Sequence, residues 1–171
     1  ESEDILDRDR VTLGLIALAG AERDVILDLL REQGVSTAIA ERMVADADRL
    51  IEGVRADGRI GYRRAARQAL GYGLDFRVAL ALSNRLRVSG PLARRTADRF
   101  EVLLTQRLAL RDLHGLIDRR IRRIHGRRVA DILHELLERR EEEVGEALDG
   151  LRLQYPGYVE ELERRLIRRA A

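Results

Sequence analysis

The residues best equipped for chemistry in this chain are three histidines, His114, His125 and His134. His114 stands four residues before Asp118; His134 stands three after Asp131 and four before Glu138. On a helix, those spacings put imidazole and carboxylate on one face. Such a pair can form half of a metal site, hold a surface ion pair, or take up a proton near neutrality. Half a site does not hold an ion, so no metal is expected, and the three histidines are candidate pH-sensing residues. The densest basic run is Arg119, Arg120, Arg122, Arg123, Arg127 and Arg128, broken only by Ile121, Ile124, His125 and Gly126. It is a candidate contact for an anion or a lipid headgroup; the plainer reading is a solvated face matched by carboxylates of neighbouring helices. Aromatics interleaved for base stacking are missing from it, so nucleic acid is not the expected partner.

Other routes to catalysis find little support. The four serines (Ser2, Ser36, Ser83, Ser89) lie in no nucleophile elbow. The glycines match neither a phosphate-binding loop nor a dinucleotide fingerprint. Glu141-Glu142-Glu143 beside Arg139-Arg140 reads as a solvated helix face. No catalytic residue and no cofactor are expected, and the chain is not read as an enzyme.

The elements that must position these residues are helices. A first helix is expected from about Asp4 or Arg10 to Gln33, kinked near Gly20 and stopped by Gly34. Ser36 can cap a second, in which Ile39, Met43, Ala47, Leu50, Ile51 and Val54 recur at three- and four-residue spacing until Asp57-Gly58 ends it. Tyr62–Leu70 reads as helix, then a Gly71-Tyr72-Gly73 break, then a helix over Phe76–Arg87. Pro91 suits the first turn of a long helix over Leu92–Ile124, which carries Phe100, Leu103, Leu104, Leu108, Leu113, Leu116, Ile117 and Ile121 and is expected to bend at Gly115. Beyond His125-Gly126, Arg128–Leu153 carries Val129, Ile132, Leu133, Leu136, Leu137, Val144, Leu148 and Leu151. Tyr155-Pro156-Gly157 then turns the chain into a last helix. The expectation is an all-α antiparallel bundle of six to seven helices, with a helical pair over 1–56 and the main bundle over 57–171.

Composition agrees. In 171 residues, 45% hydrophobic and 36% charged side chains suit a helical protein with a heavily ionised surface. All 32 basic residues are arginine, and 30 carboxylates leave a formal charge of only +2, too balanced for a dedicated nucleic-acid binder. Without cysteine there is no disulfide, thiolate nucleophile or cysteine zinc site. The longest apolar run, Leu13 to Ala21, falls well short of the roughly 20 residues that span a bilayer.

Three blocks carry a resemblance. They are Asp57-Gly58-Arg59-Ile60-Gly61-Tyr62-Arg63-Arg64-Ala65-Ala66-Arg67; Gly90-Pro91-Leu92-Ala93 with Ala97-Asp98-Arg99-Phe100-Glu101-Val102-Leu103-Leu104 and Arg107; and Ala147-Leu148-Asp149-Gly150-Leu151-Arg152-Leu153-Gln154-Tyr155-Pro156, leading into Tyr158, Leu162-Glu163 and Arg168-Arg169. In this order, over about residues 50–171, they resemble the cytoplasmic C-terminal region of bacterial monovalent cation:proton antiporters, the sodium/proton exchangers of the first such family. The resemblance implies a membrane domain of the same polypeptide that exchanges sodium or potassium for protons. It also implies a regulatory or dimerising role for this region, at the cytoplasmic face of the cell membrane and as a homodimer. The helix-forming run Glu160–Ala171 without a terminating cap, and a start at Glu1, lead to the expectation of a piece of a longer chain. The alternative is a stand-alone helical adaptor binding protein or nucleic acid.

Overall fold

A computed structural model of the chain describes residues 2–71, 90–154 and 164. Helix α1 (Ser2–Gln33) buries Leu15, Leu18, Ala19, Ile26 and Leu30 along one stripe. It continues through Gly20 as helix and stops at Gly34, whose φ of 60° is the left-handed conformation that glycine adopts without strain. Ser36 Oγ then accepts the Ile39 N–H at 3.5 Å and caps α2 (Thr37–Leu70).

Inside α2 the helical path breaks at Asp57 (φ −132°, ψ 17°) and Gly58 (φ 56°, ψ −132°). A straight helix would hold residues 53 and 61 about 12 Å apart. Here a Cβ on Gly53 would lie 2.6 Å from the Gly61 carbonyl oxygen, and one on Gly61 would run into that of Gly53. The two halves of α2 therefore fold sharply upon each other, and bare glycine backbone makes the contact.

Helix α3 (Gly90–Leu116) passes into a π-helical turn (Ile117–Ile121), then a single turn, α4 (Arg122–His125). Gly126, with φ 91°, reverses the chain into α5 (Arg127–Gln154). The irregularity expected at Gly115 is thus present two residues later, as a π-turn in which the Arg122 N–H reaches back to the Ile117 carbonyl. Ile117 and Ile121 are both buried by it.

The all-α class holds, but the helix count does not. Four long helices are present where six to seven were expected. Asp57-Gly58 does interrupt the helix as expected, though the two halves are counted together as α2, and the segments over Phe76–Arg87 and after Pro156 lie outside the described residues, residue 164 aside. Leu108 is a further correction: it is 41% exposed, because Thr105, Gln106 and Ala109 take the inward positions of α3 in that stretch.

The main core is shared by all four long helices, with Leu15 and Leu18 facing Leu50, Val54, Phe100, Leu113, Leu133 and Leu137. A smaller cluster joins Ile26 and Leu30 to Ile39, Met43, Val102 and Ala109. Arg23 bonds Asp48 at 2.7 Å between α1 and α2, and Arg99 donates to the Leu70 and Gly71 carbonyls at the end of α2. Among the described residues, no helix is long and apolar enough to cross a membrane.

Candidate functional site

His114, near the end of α3, and His134, two turns into α5, come together across the antiparallel seam between those helices. Their Nδ1 atoms are 2.7 Å apart, and their ring planes are within 6° of parallel with centroids 5.0 Å apart. That separation of nitrogens, well inside the separation of centres, means that the rings meet edge to edge, as an N–H···N hydrogen bond requires, and not face to face. The outer nitrogens meet carboxylates. His134 Nε2 is 2.9 Å from Asp118 Oδ1, and His114 Nε2 is 3.4 Å from Glu141 Oε2. Arg122 forms an ion pair with the same Asp118 oxygen at 2.9 Å and lies 3.9 Å from Asp131.

Counting hydrogens along this line restricts its tautomers. An ionised carboxylate only accepts, so His134 Nε2 carries a proton. If that ring is neutral, its Nδ1 is a bare acceptor and His114 Nδ1 must donate to it. His114 Nε2 then lies at ion-pair distance from Glu141. Two neutral rings satisfy both hydrogen bonds of the line, and a proton added at His114 Nε2 would meet the Glu141 carboxylate without disturbing them. A proton added at His134 Nδ1 instead would set two N–H groups head to head at 2.7 Å and break the central bond. The hydrogen bond from His134, with help from Arg122, also holds the Asp118 carboxyl below the usual carboxylate range.

The sequence placed His134 with Asp131 or Glu138 on its own helix, whereas in the fold it reaches Asp118 across the seam. The His114-to-Asp118 spacing singled out the right acid, but the π-turn carries Asp118 toward the facing helix. Glu141 was not associated with either histidine; its place seven residues after His134 on α5 was the available signal. His125 stands apart, at the Gly126 turn, and among the described residues is in no ion pair.

One group of residues was missed. Arg140 is 7% exposed and Glu22 1%, and they form a bidentate pair across α5 and α1, at 2.6 and 2.8 Å. Arg140 also donates to the fully buried Tyr62 hydroxyl of α2 at 2.8 Å, and its guanidinium carbon lies 5.4 Å from the centre of that ring. The solvated face expected at Arg139-Arg140 is corrected accordingly: Arg139 is exposed, but Arg140 points inward. The stripe Leu133, Leu136, Leu137, then Val144 and Leu148 passes through position 140, and Leu15, Leu18, Ala19, then Ile26 passes through position 22, so helical spacing did mark both. Burial works against the charge of Arg140, but Glu22 and Tyr62 together more than offset it and keep the guanidinium firmly protonated. Burial pushes the Tyr62 hydroxyl up to about 12.

The arginine run divides. Arg122 and Arg127 meet Asp131, Arg122 also meets Asp118, and Arg128 bonds Asp7 of α1 at 2.6 Å. Arg119 folds back over Gly115, with its terminal nitrogen 2.9 Å from where a Cβ on that glycine would stand. Arg120 and Arg123 are exposed next to Ile124, itself 67% exposed. Among the described residues, no group of three or more His, Cys, Asp or Glu is placed to hold a metal ion. No family model, curated protein or solved structure matches this chain, so the site is read from its own geometry.

Proposed function

We propose that this helical domain is a proton-responsive regulatory and dimerisation module of a sodium (or potassium)/proton antiporter, acting at the cytoplasmic face of the membrane on a transport domain of the same polypeptide. One observation carries the reading: the α3–α5 seam is joined through two hydrogen-bonded imidazoles with a carboxylate at each end. Imidazole is the side chain whose charge ordinarily changes near neutral pH, and a bond between two imidazoles depends on how many protons the pair holds. The three sequence blocks that resemble antiporter tails supply the parent. Coupling follows by linkage: a proton bound more tightly in one packing of the bundle biases whatever the bundle is attached to. Arg120 and Arg123, beside Ile124, are the candidates within the basic run for contact with anionic headgroups.

The test is cation/proton exchange by the full-length protein in membrane vesicles across pH, with His114→Gln and His134→Gln. Each substitution keeps a polar side chain but removes the ionisable ring. A displaced pH profile is expected from either variant, with His125→Gln as the unaffected control. Profiles that superimpose on wild type would sink the sensor. A reading frame with no membrane-spanning segments before Glu1 would sink the parent assignment.

A further inference from the structure

The fold in α2 leaves a cleft of about 380 Å³ between the first turns of α1, the Asp57–Ile60 bend and the start of α5. Its volume falls in the usual range for a small-molecule site. Val11, Val129 and Ile132 line it with apolar surface, Ile60 lines it too and is 66% exposed, and Gly58 keeps one wall open against Thr12.

The charges in this cleft do not cancel. Asp7 is occupied by Arg128 at 2.6 Å, and Asp57 by Arg64 at 3.0 Å. Both carboxylates that line the cleft are thus neutralised within the protein. Arg8 and Arg59, from α1 and α2, also line it, and neither is in an ion pair among the described residues. Two uncommitted guanidinium groups therefore stand over an apolar lining. Guanidinium forks match phosphate and carboxylate oxygens, and the lining matches hydrocarbon.

We propose that this cleft binds an anionic amphiphile, a phosphate or carboxylate head carrying a short hydrocarbon body, with Arg8 and Arg59 on the head and Val11, Ile60, Val129 and Ile132 around the body. The histidine pair contributes nothing to this site, so it stands or falls independently of the regulatory reading. The source of such a ligand is either a membrane lipid or a free amphiphile, and the shared chemistry is the same.

Calorimetric titration of the purified chain with octyl phosphate below its micellar concentration tests the proposal, with inorganic phosphate as the headgroup alone. Octyl phosphate is expected to bind at least tenfold more tightly than inorganic phosphate. The double variant Arg8→Gln/Arg59→Gln is expected to lose about a hundredfold in affinity for octyl phosphate, tenfold or 1.4 kcal/mol per fork. Both side chains are exposed and unpaired, so an unchanged urea midpoint will show that the variant is folded. Cosedimentation with phosphatidylglycerol vesicles, but not phosphatidylcholine vesicles, lost in the double variant, assigns the ligand to the membrane. Octyl phosphate binding without vesicle binding assigns it to a free amphiphile; both outcomes support the site. Absence of octyl phosphate binding, equal binding of the two phosphates, or binding that the double variant retains would overturn it.

Discussion

Replacing Glu22 by Gln keeps the shape of the side chain but removes the counter-charge of a guanidinium that is almost wholly shielded from water. Two of the three hydrogen bonds from Arg140 go to that carboxylate; only the one to Tyr62 would survive intact. The Gln amide would also turn an N–H₂ group toward a side chain that can only donate. Breaking a buried pair from one side costs about 3–5 kcal/mol, and total stabilities are about 5–15 kcal/mol. With a urea slope of about 2 kcal/mol/M, the unfolding midpoint should fall by about 2 M. The same reasoning makes a contrary statement about the double variant Glu22→Leu/Arg140→Met. It removes both charges together and fills the space with hydrocarbon, leaving only the Tyr62 hydroxyl without its partner. It should therefore be well above Glu22→Leu alone in stability and, with Glu22→Leu and Arg140→Met as the single variants, give a coupling of about 3 kcal/mol in a double-mutant cycle. A coupling below about 1 kcal/mol would refute the reasoning, because it would mean that water reaches Arg140 when Glu22 is gone.

Two further outcomes follow from the same packing. Tyr62 is fully buried and its hydroxyl is raised from 10 to about 12, so the unfolded chain loses that proton first as the pH climbs. Its contribution is complete below pH 10 and is lost as pH rises toward 12, a decline on the order of 3 kcal/mol; Tyr62→Phe should flatten this part of the stability profile, and an unaltered alkaline decline in the variant would count against it. Gly61→Ala sets a methyl group against the Gly53 carbonyl, where only backbone is available to move, and should cost about 3 kcal/mol or more by thermal or urea unfolding. Gly145→Ala, where a Cβ meets nothing within 4 Å, is the control that should not destabilise.

What could be read in the chain beforehand depended on whether the signal was local. Ser36 as a cap, Gly34 as a stop, Gly126 as a break and the buried stripe of α5 are properties of short windows, and each is present in the structure. The Asp57-Gly58 irregularity was also legible, but not its outcome, since a fold closed by Gly53 and Gly61 depends on two backbones meeting. The histidine site was half legible for the same reason. Its members were singled out, while the pairing of His134 with Asp118 depends on a π-turn that leaves no mark beyond Gly115 nearby. Glu22 and Arg140 were overlooked although they stood in apolar stripes at helical spacing. A lone charge is ordinarily assigned to solvent, and only its partner on a distant helix makes burial tolerable.

The doubled helix α2 has a use outside this molecule. Neither Gly53 nor Gly61 can grow a side chain without pushing the other's backbone away, and Gly58 between them holds a positive φ. A substitution at one of the two contact positions cannot be repaired by a change at the other, since neither has an atom left to give. The spelling Gly-x3-Asp-Gly-x2-Gly is thus a local consequence of backbone geometry and independent of which hydrophobic residues fill the core. Chains that share this bend should keep it after their stripes of leucine and arginine have drifted beyond recognition, which makes it the pattern by which distant kin of this domain are best sought.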